Sequence, residues 1–275
     1  MPLTSRGFTL MELMVAAVIA GAIAVLTGGL VAASATRLRD RSERMALEQA
    51  LRVSLGAAAA ILEPLGADSA AGPDLSQTAP GGFVARAYRA SGVLCAATTH
   101  LLYLRAGAAW WRGVRALAAG RDSLLIASLA EADRWIAAPL IGAPVSGACP
   151  DGSAAFLLPT DISPLATAQI GAGSPLRAFE PVELRIYASG GASWIGLRQL
   201  QTGEAIQPLA GPFAGAGLSL VYTDRFAMPA SGAAVAQVTL AVRGLSSRDG
   251  GVGIAVSNPG HPDSAMLAVS LRGRP

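Results

Sequence analysis

Glu12 is the residue most out of place in this chain. It is the one charge in residues 7–35, a stretch reading GFTLMELMVAAVIAGAIAVLTGGLVAASA. A carboxylate in an apolar segment is costly unless it is paired, so it reads by default as functional. Unpaired, it is also close enough to the start of the run to snorkel to the headgroup level.

The other residues able to do chemistry do not combine into a catalytic set. His100 and His261 are the two histidines, and neither shows metal-ligand spacing. Ser246 and Ser247 lack a nucleophile-elbow context. Asp161, Asp224 and Asp249 do not form a calcium-loop pattern. Trp110, Trp111, Trp135 and Trp194 read as core or interface anchors. All 21 basic residues are arginine, which removes lysine-dependent Schiff-base and P-loop chemistry. The expectation is a protein without catalytic residues, metal or cofactor, and not an enzyme.

The elements that position Glu12 begin with an uncharged run over residues 13–35. At 1.5 Å rise per residue it is long enough for a hydrocarbon core of about 30 Å. Arg6 precedes it with no acid before Glu12, so the positive-inside rule puts the N-terminus in the cytoplasm and the rest outside. A cleaved secretory signal is the competing reading, with Ala33-Ser34-Ala35 as its cleavage site. Its apolar region would be far longer than the 7 to 15 residues usual for signals, about which a glutamate near the start is also unusual.

The helical pattern continues beyond the span. Leu47, Leu51, Leu55, Ala58 and Leu62 recur at helical spacing, and Pro64 followed by Gly66 supplies a stop. One helix over 8–62 is expected, roughly 80 Å long, with a transmembrane part over 13–35 and an amphipathic part over 36–62. Arg37, Arg39, Arg41 and Arg44, interleaved with Asp40 and Glu43, read as a solvated face or headgroup anchor. With a formal net charge of only +3, no nucleic-acid partner is expected.

Residues 63–82 read as an aperiodic loop, and 83–275 as a β-rich domain outside the membrane. Strands are expected over 101–105, 123–129, 154–158, 182–187, 194–200, 218–223 and 235–243. Val182, Leu184 and Ile186 alternate with Glu183, Arg185 and Tyr187, and Val238, Leu240 and Val242 face away from Gln237, Thr239 and Arg243. Ser189-Gly190-Gly191-Ala192 is a hairpin turn between two strands. The fold class is therefore α+β: a long N-terminal helix whose amphipathic half packs on a mostly antiparallel sheet, with Leu47, Leu51 and Leu55 as core. Cys95 and Cys149 lie in this domain. Outside the cytoplasm a disulfide between them is the default, and two buried thiols are the alternative.

Gly7-Phe8-Thr9-Leu10-Met11-Glu12-Leu13, followed by an apolar helix, resembles the class III signal of type IV prepilins and type II secretion pseudopilins. The motif covers about the first 30 residues. The long helix before a β-rich domain is also similar to that family, particularly its minor J-type pseudopilins and PilW-type pilins. The resemblance implies cleavage between Gly7 and Phe8 by a prepilin peptidase, loss of the leader 1–7, and N-methylation of Phe8. It implies that Glu12 meets the N-terminal amine of a neighbouring pilin or pseudopilin and sets register in the filament. It further implies an inner-membrane assembly platform as partner and a single-pass inner-membrane protein with its C-terminal domain in the periplasm, destined for a pilus or pseudopilus. The competing function is a membrane-tethered periplasmic binding or enzymatic domain that uses the helix only as an anchor. A plain anchor has no use for Gly7 and Glu12 at this spacing.

Overall fold

The computed structural model describes residues 9–66, 72–244 and 264–271. The chain separates into two compact units, 1–49 and 50–275. Helix α1 (Leu10–Leu62) runs through the boundary between them.

In the first unit the helix presents an apolar surface all round. Leu10, Met11, Leu13, Met14, Val18, Ile19, Val25, Leu26 and Leu30 are all exposed. The segment Leu10–Arg39 is long and apolar enough to cross a membrane. A helix that is hydrophobic on every face needs lipid or other helices around it.

The second unit begins with the last turns of α1. Leu51, Ser54, Ala58, Ile61 and Leu62 are buried, a stripe at i, i+3, i+4 spacing, while Arg52, Val53 and Gly56 stay exposed. Leu55, expected in the core, is half-buried, as is Leu47 in the first unit. The helix ends where Pro64 follows, and Leu65 closes the turn by donating its N–H to the Leu62 carbonyl at 3.1 Å.

The β-rich part contains β1 (Leu75–Ala79), β2 (Gly82–Ala97), β3 (Leu101–Arg105), β4 (Trp111–Gly113), β5 (Ser123–Ala127), β6 (Trp135–Pro139) and β7 (Val145–Ala148). It continues with β8 (Ala154–Pro159), a short helix α2 (Pro164–Thr167), β9 (Pro175–Ser189), β10 (Ala192–Gln199), β11 (Gln207–Thr223), β12 (Gln237–Gly244) and β13 (Ser264–Ser270). The main path runs β13-β12-β11-β10-β9-β2-β3-β8-β7, and every pairing among the described residues is antiparallel. The fold is thus α+β, as expected.

Alternation fixes the faces. Val182 and Leu184 are buried while Glu183 and Arg185 are not, and Val238, Leu240 and Val242 are buried while Gln237 and Thr239 are only half-buried. Gly190 and Gly191 make the two-residue turn of the β9–β10 hairpin at φ +61° and +78°, the paired left-handed conformation such turns require. A leucine-rich core including Leu94, Leu102, Leu104, Leu124, Leu158 and Leu176 fills one side of the β2–β3–β8 and β5–β9 region.

Several boundaries depart from the sequence reading. The region 63–82 is not loop throughout, because Leu75–Ala79 pairs with the start of β2 across a Pro80-Gly81 turn. The hairpin is fixed by distant strands: Leu220 N–H reaches the Pro80 carbonyl, Ile186 N–H reaches the Gly81 carbonyl, and the buried Tyr222 hydroxyl reaches the carbonyls of Ala79 and Gly82 at 3.0 and 2.8 Å. The domain therefore starts its sheet before residue 83. Strands β2, β4, β6, β7 and β13 were not anticipated, while the strand expected over 123–129 stops at Ala127 and that over 235–243 is Gln237–Gly244.

Candidate functional site

The site is built at the first turn of α1. Thr9 is its N-cap, since the Leu13 N–H donates to the Thr9 carbonyl at 3.2 Å. Glu12 lies three residues on, and its carboxylate turns back to the cap: Oε2 accepts both the Thr9 backbone N–H and the Thr9 hydroxyl, each at 2.9 Å. Glu12 in turn directs its N–H toward Thr9 Oγ1 at 3.4 Å. This is a capping box, which satisfies helix-terminal donors that would otherwise have no partner. A carboxylate also suits the positive end of the helix dipole.

Glu12 is thus exposed, locally partnered and aimed at the N-terminal end of the chain. Only Oε2 is used by Thr9. The group can hold its own helix start and also accept from a cation approaching that end. Gly7 and Phe8, the expected cleavage and methylation positions, lie outside the described residues, as does the leader 1–7. Thr9 was passed over in the sequence reading, although T-x-x-E before an apolar run is a sequence-level cap signal.

Several other chemistry-bearing residues are tied into the fold. Cys95 and Cys149 are joined in a disulfide with a Cα–Cα distance of 5.8 Å, buried beside Ala155 and Tyr103. Buried Asp74 accepts from the Gly66 N–H at 2.7 Å, the Tyr88 hydroxyl at 2.8 Å and Arg86 Nη1 at 3.1 Å, tying the end of α1 to β2. Burial, and then the charge of Asp74, push the Tyr88 hydroxyl well above its ordinary pKa.

Buried Glu180 on β9 is held by Arg89, by Arg121 at 2.7 Å and by Arg115 at 3.2 Å, while Arg115 also forks onto buried Asp122 at 2.7 and 2.8 Å. Burial alone would raise the Glu180 carboxyl. The hydrogen bond from Arg121 and the charge of Arg89 outweigh it and leave the pKa below 4.5. The cluster pairs its carboxylates and offers no nucleophile. His100 lies in a turn between β2 and β3, and Asp161 and Asp224 are far apart in the chain on separate loops. His261, Ser246, Ser247 and Asp249 fall outside the described residues. Among the described residues no group of three or more His, Cys, Asp or Glu side chains is placed to hold a metal ion.

Compared with known proteins, residues 3–28 match the family described as the prokaryotic N-terminal methylation motif. No curated protein matches the chain. No solved structure matches it.

Proposed function

We propose, for a chain whose N-terminus is of the prepilin type, that the protein is a minor pilin or pseudopilin. A prepilin peptidase cuts between Gly7 and Phe8, Phe8 is N-methylated, and α1 carries the mature chain in the inner membrane with its β-rich domain in the periplasm. From there the subunit joins or primes a type IV pilus or type II secretion pseudopilus, in contact with other subunits and the assembly platform. It performs no catalysis.

The observation that carries this reading is one arrangement: the methylation motif is continuous with a helix that is apolar on every face, and the motif's acid is held at the helix start by Thr9. A carboxylate kept there is positioned to meet an amine at the start of a neighbouring chain. In a low-dielectric filament core the unpaired charge is penalised and the paired one is not, so the pair selects one axial register.

The test is N-terminal sequencing and intact mass of the protein from its native membrane. The expected result is a mature chain that begins at Phe8 and carries one added methyl group. A mature start at residue 36 would establish a cleaved secretory signal instead and end the filament reading.

A further inference from the structure

Strands β4, β2, β9 and β5 lie side by side, and one row of directly opposed residues runs across them. Arg112 of β4 pairs with Ser91 of β2, Ser91 with Arg177 of β9, and Arg177 with Leu125 of β5. Directly opposed residues send their side chains to the same face of a sheet. That face is turned away from the leucine-rich core, because the flanking Ala90, Leu176 and Ala178 belong to the core. Arg112, Ser91 and Arg177 are all exposed. Two strand spacings, about 9.5 Å, separate the arginine backbones, so two long side chains flank the Ser91 hydroxyl.

Neither arginine has an ion pair or a hydrogen bond among the described residues. The carboxylates nearby are already taken. Buried Asp74 is paired with Arg86, and Glu131, in the loop before β6, with Arg134. Glu180 is held by Arg89, Arg115 and Arg121, and alternation along β9 puts it on the opposite face from Arg177. Arg177 is nonetheless positioned. Its guanidinium carbon lies 5.3 Å from the Tyr88 ring centroid and 5.0 Å from that of Trp135, and the Tyr88 hydroxyl is fixed by Asp74 at 2.8 Å. Aromatic contact holds a guanidinium without consuming its N–H donors, so these stay available to an acceptor.

The charge count selects the ligand. Two like charges on one row repel, and an anion seated over the hydroxyl between them removes that cost. A free phosphate or a phosphate monoester carries close to two negative charges near neutral pH, whereas a carboxylate or a phosphodiester carries one. Arginine forks suit phosphate oxygens, and a serine hydroxyl adds a further donor. We propose that the Arg112–Ser91–Arg177 row binds a dianionic phosphate group, free or as a monoester, with N–H donors from both guanidinium groups and the O–H of Ser91. The site lies in the β-rich unit, apart from Glu12, and stands independently of the filament reading.

The test follows phosphorus NMR line widths of inorganic phosphate, glycerol phosphate and glycerophosphoglycerol, each added to the full-length chain in a phosphate-free, non-ionic detergent at low ionic strength. The pH is held at about 8, above the second phosphate pKa of about 6. Inorganic phosphate and the monoester are expected to broaden saturably with a Kd on the order of 1 mM, the scale of a few charge-assisted hydrogen bonds at an exposed site. Sulfate, also a dianion, is expected to compete. The diester, a soluble stand-in for a lipid headgroup, is expected to bind at least about tenfold more weakly. Arg112→Gln and Arg177→Gln are each expected to weaken phosphate binding about tenfold and Ser91→Ala about threefold, while Arg225→Gln, at an exposed arginine after β11, leaves it unchanged. A tryptophan-monitored melt matching that of the unaltered chain shows that a variant is folded. Arg112, exposed on the three-residue strand β4, decides the matter if Arg177→Gln fails to fold. No saturable broadening in the millimolar range, undiminished binding to Arg112→Gln, or diester binding as tight as the monoester's overturns the assignment, the last by making a singly charged headgroup the better ligand.

Discussion

At the residue scale, Glu12 caps the helix and, on the proposed function, also serves as counter-charge in assembly; three substitutions separate the two. Glu12→Ala removes both the cap and the charge; it is expected to leave insertion and processing intact and to lower recovery in sheared filaments most. Glu12→Gln keeps an acceptor for Thr9 but loses the charge, so its defect is expected to be smaller. Thr9→Ala keeps the carboxylate and loses the cap; hydrogen exchange of the first helical amides is expected to speed up while assembly suffers less than with Glu12→Ala. Equal recovery of all three variants and the unaltered chain would mean that shape and apolar contact alone set the register.

Acid sensitivity belongs to the same scale. Glu180 has a folded pKa depressed below 4.5, so it contributes stability above its unfolded pKa and loses it as pH falls through the folded value. Asp151 is held down to about 2 by the hydroxyl and amide of Ser153 and by Arg105, so its contribution is lost between 3.8 and about 2. Thermal melts of the β-rich domain in the full chain are expected to be flat from neutral pH to about 4.5 and to fall below it. Glu180→Gln is expected to make that fall shallower. An unchanged fall would show that Glu180 is not a group responsible.

The long helix is one element with two environments. Over 10–35 it has no polar face, and Thr27 and Ser34 return their hydroxyls to carbonyls of their own helix at 2.8 Å, as a segment in lipid must. From Leu51 onward it is an ordinary amphipathic helix with one buried stripe. Leu62 is fully buried at the helix end, next to the Asp74 node. Leu62→Ala is expected to destabilise the β-rich domain by about 2 to 5 kcal/mol through the lost packing and residual cavity. Leu13→Ala is expected to leave that domain unchanged, since Leu13 is exposed within the apolar segment. Urea unfolding of the detergent-solubilised chain, followed by tryptophan emission, distinguishes the two.

For the whole β-rich unit, the disulfide matters most where the sheet is longest in closing. Cys95 and Cys149 are separated by 54 positions and join the end of β2 to the turn before β8. By chain entropy such a bridge contributes at most about 4 kcal/mol. Cys95→Ala with Cys149→Ala is expected to lower the melting temperature of the domain while the β9–β10 hairpin and the first turn of α1 are unaffected. Alkylation of denatured, non-reduced protein is the accompanying check: both thiols should resist labelling before reduction and react after it.

What the sequence determined by itself is local. The motif around Gly7, Phe8 and Glu12, the uncharged run, the stripe ending at Leu62 and the clean alternation of β9 and β12 are each set by neighbours within a few residues, so spacing and polarity suffice to read them. Only the tertiary structure decided the rest. Strand β1 lies in a stretch without periodicity because Tyr222 and Leu220, more than 130 positions away, hold its hairpin. Asp74 and Glu180 are buried because Arg86, Arg89, Arg115 and Arg121 arrive from other strands and loops to pair them. The exposure of Phe226 and Met228 is likewise decided by the turn that Asp224 ties, since their composition alone would have placed them inside. Burial and pairing depend on contacts between distant parts of the chain, and those contacts exist only once the sheet has assembled.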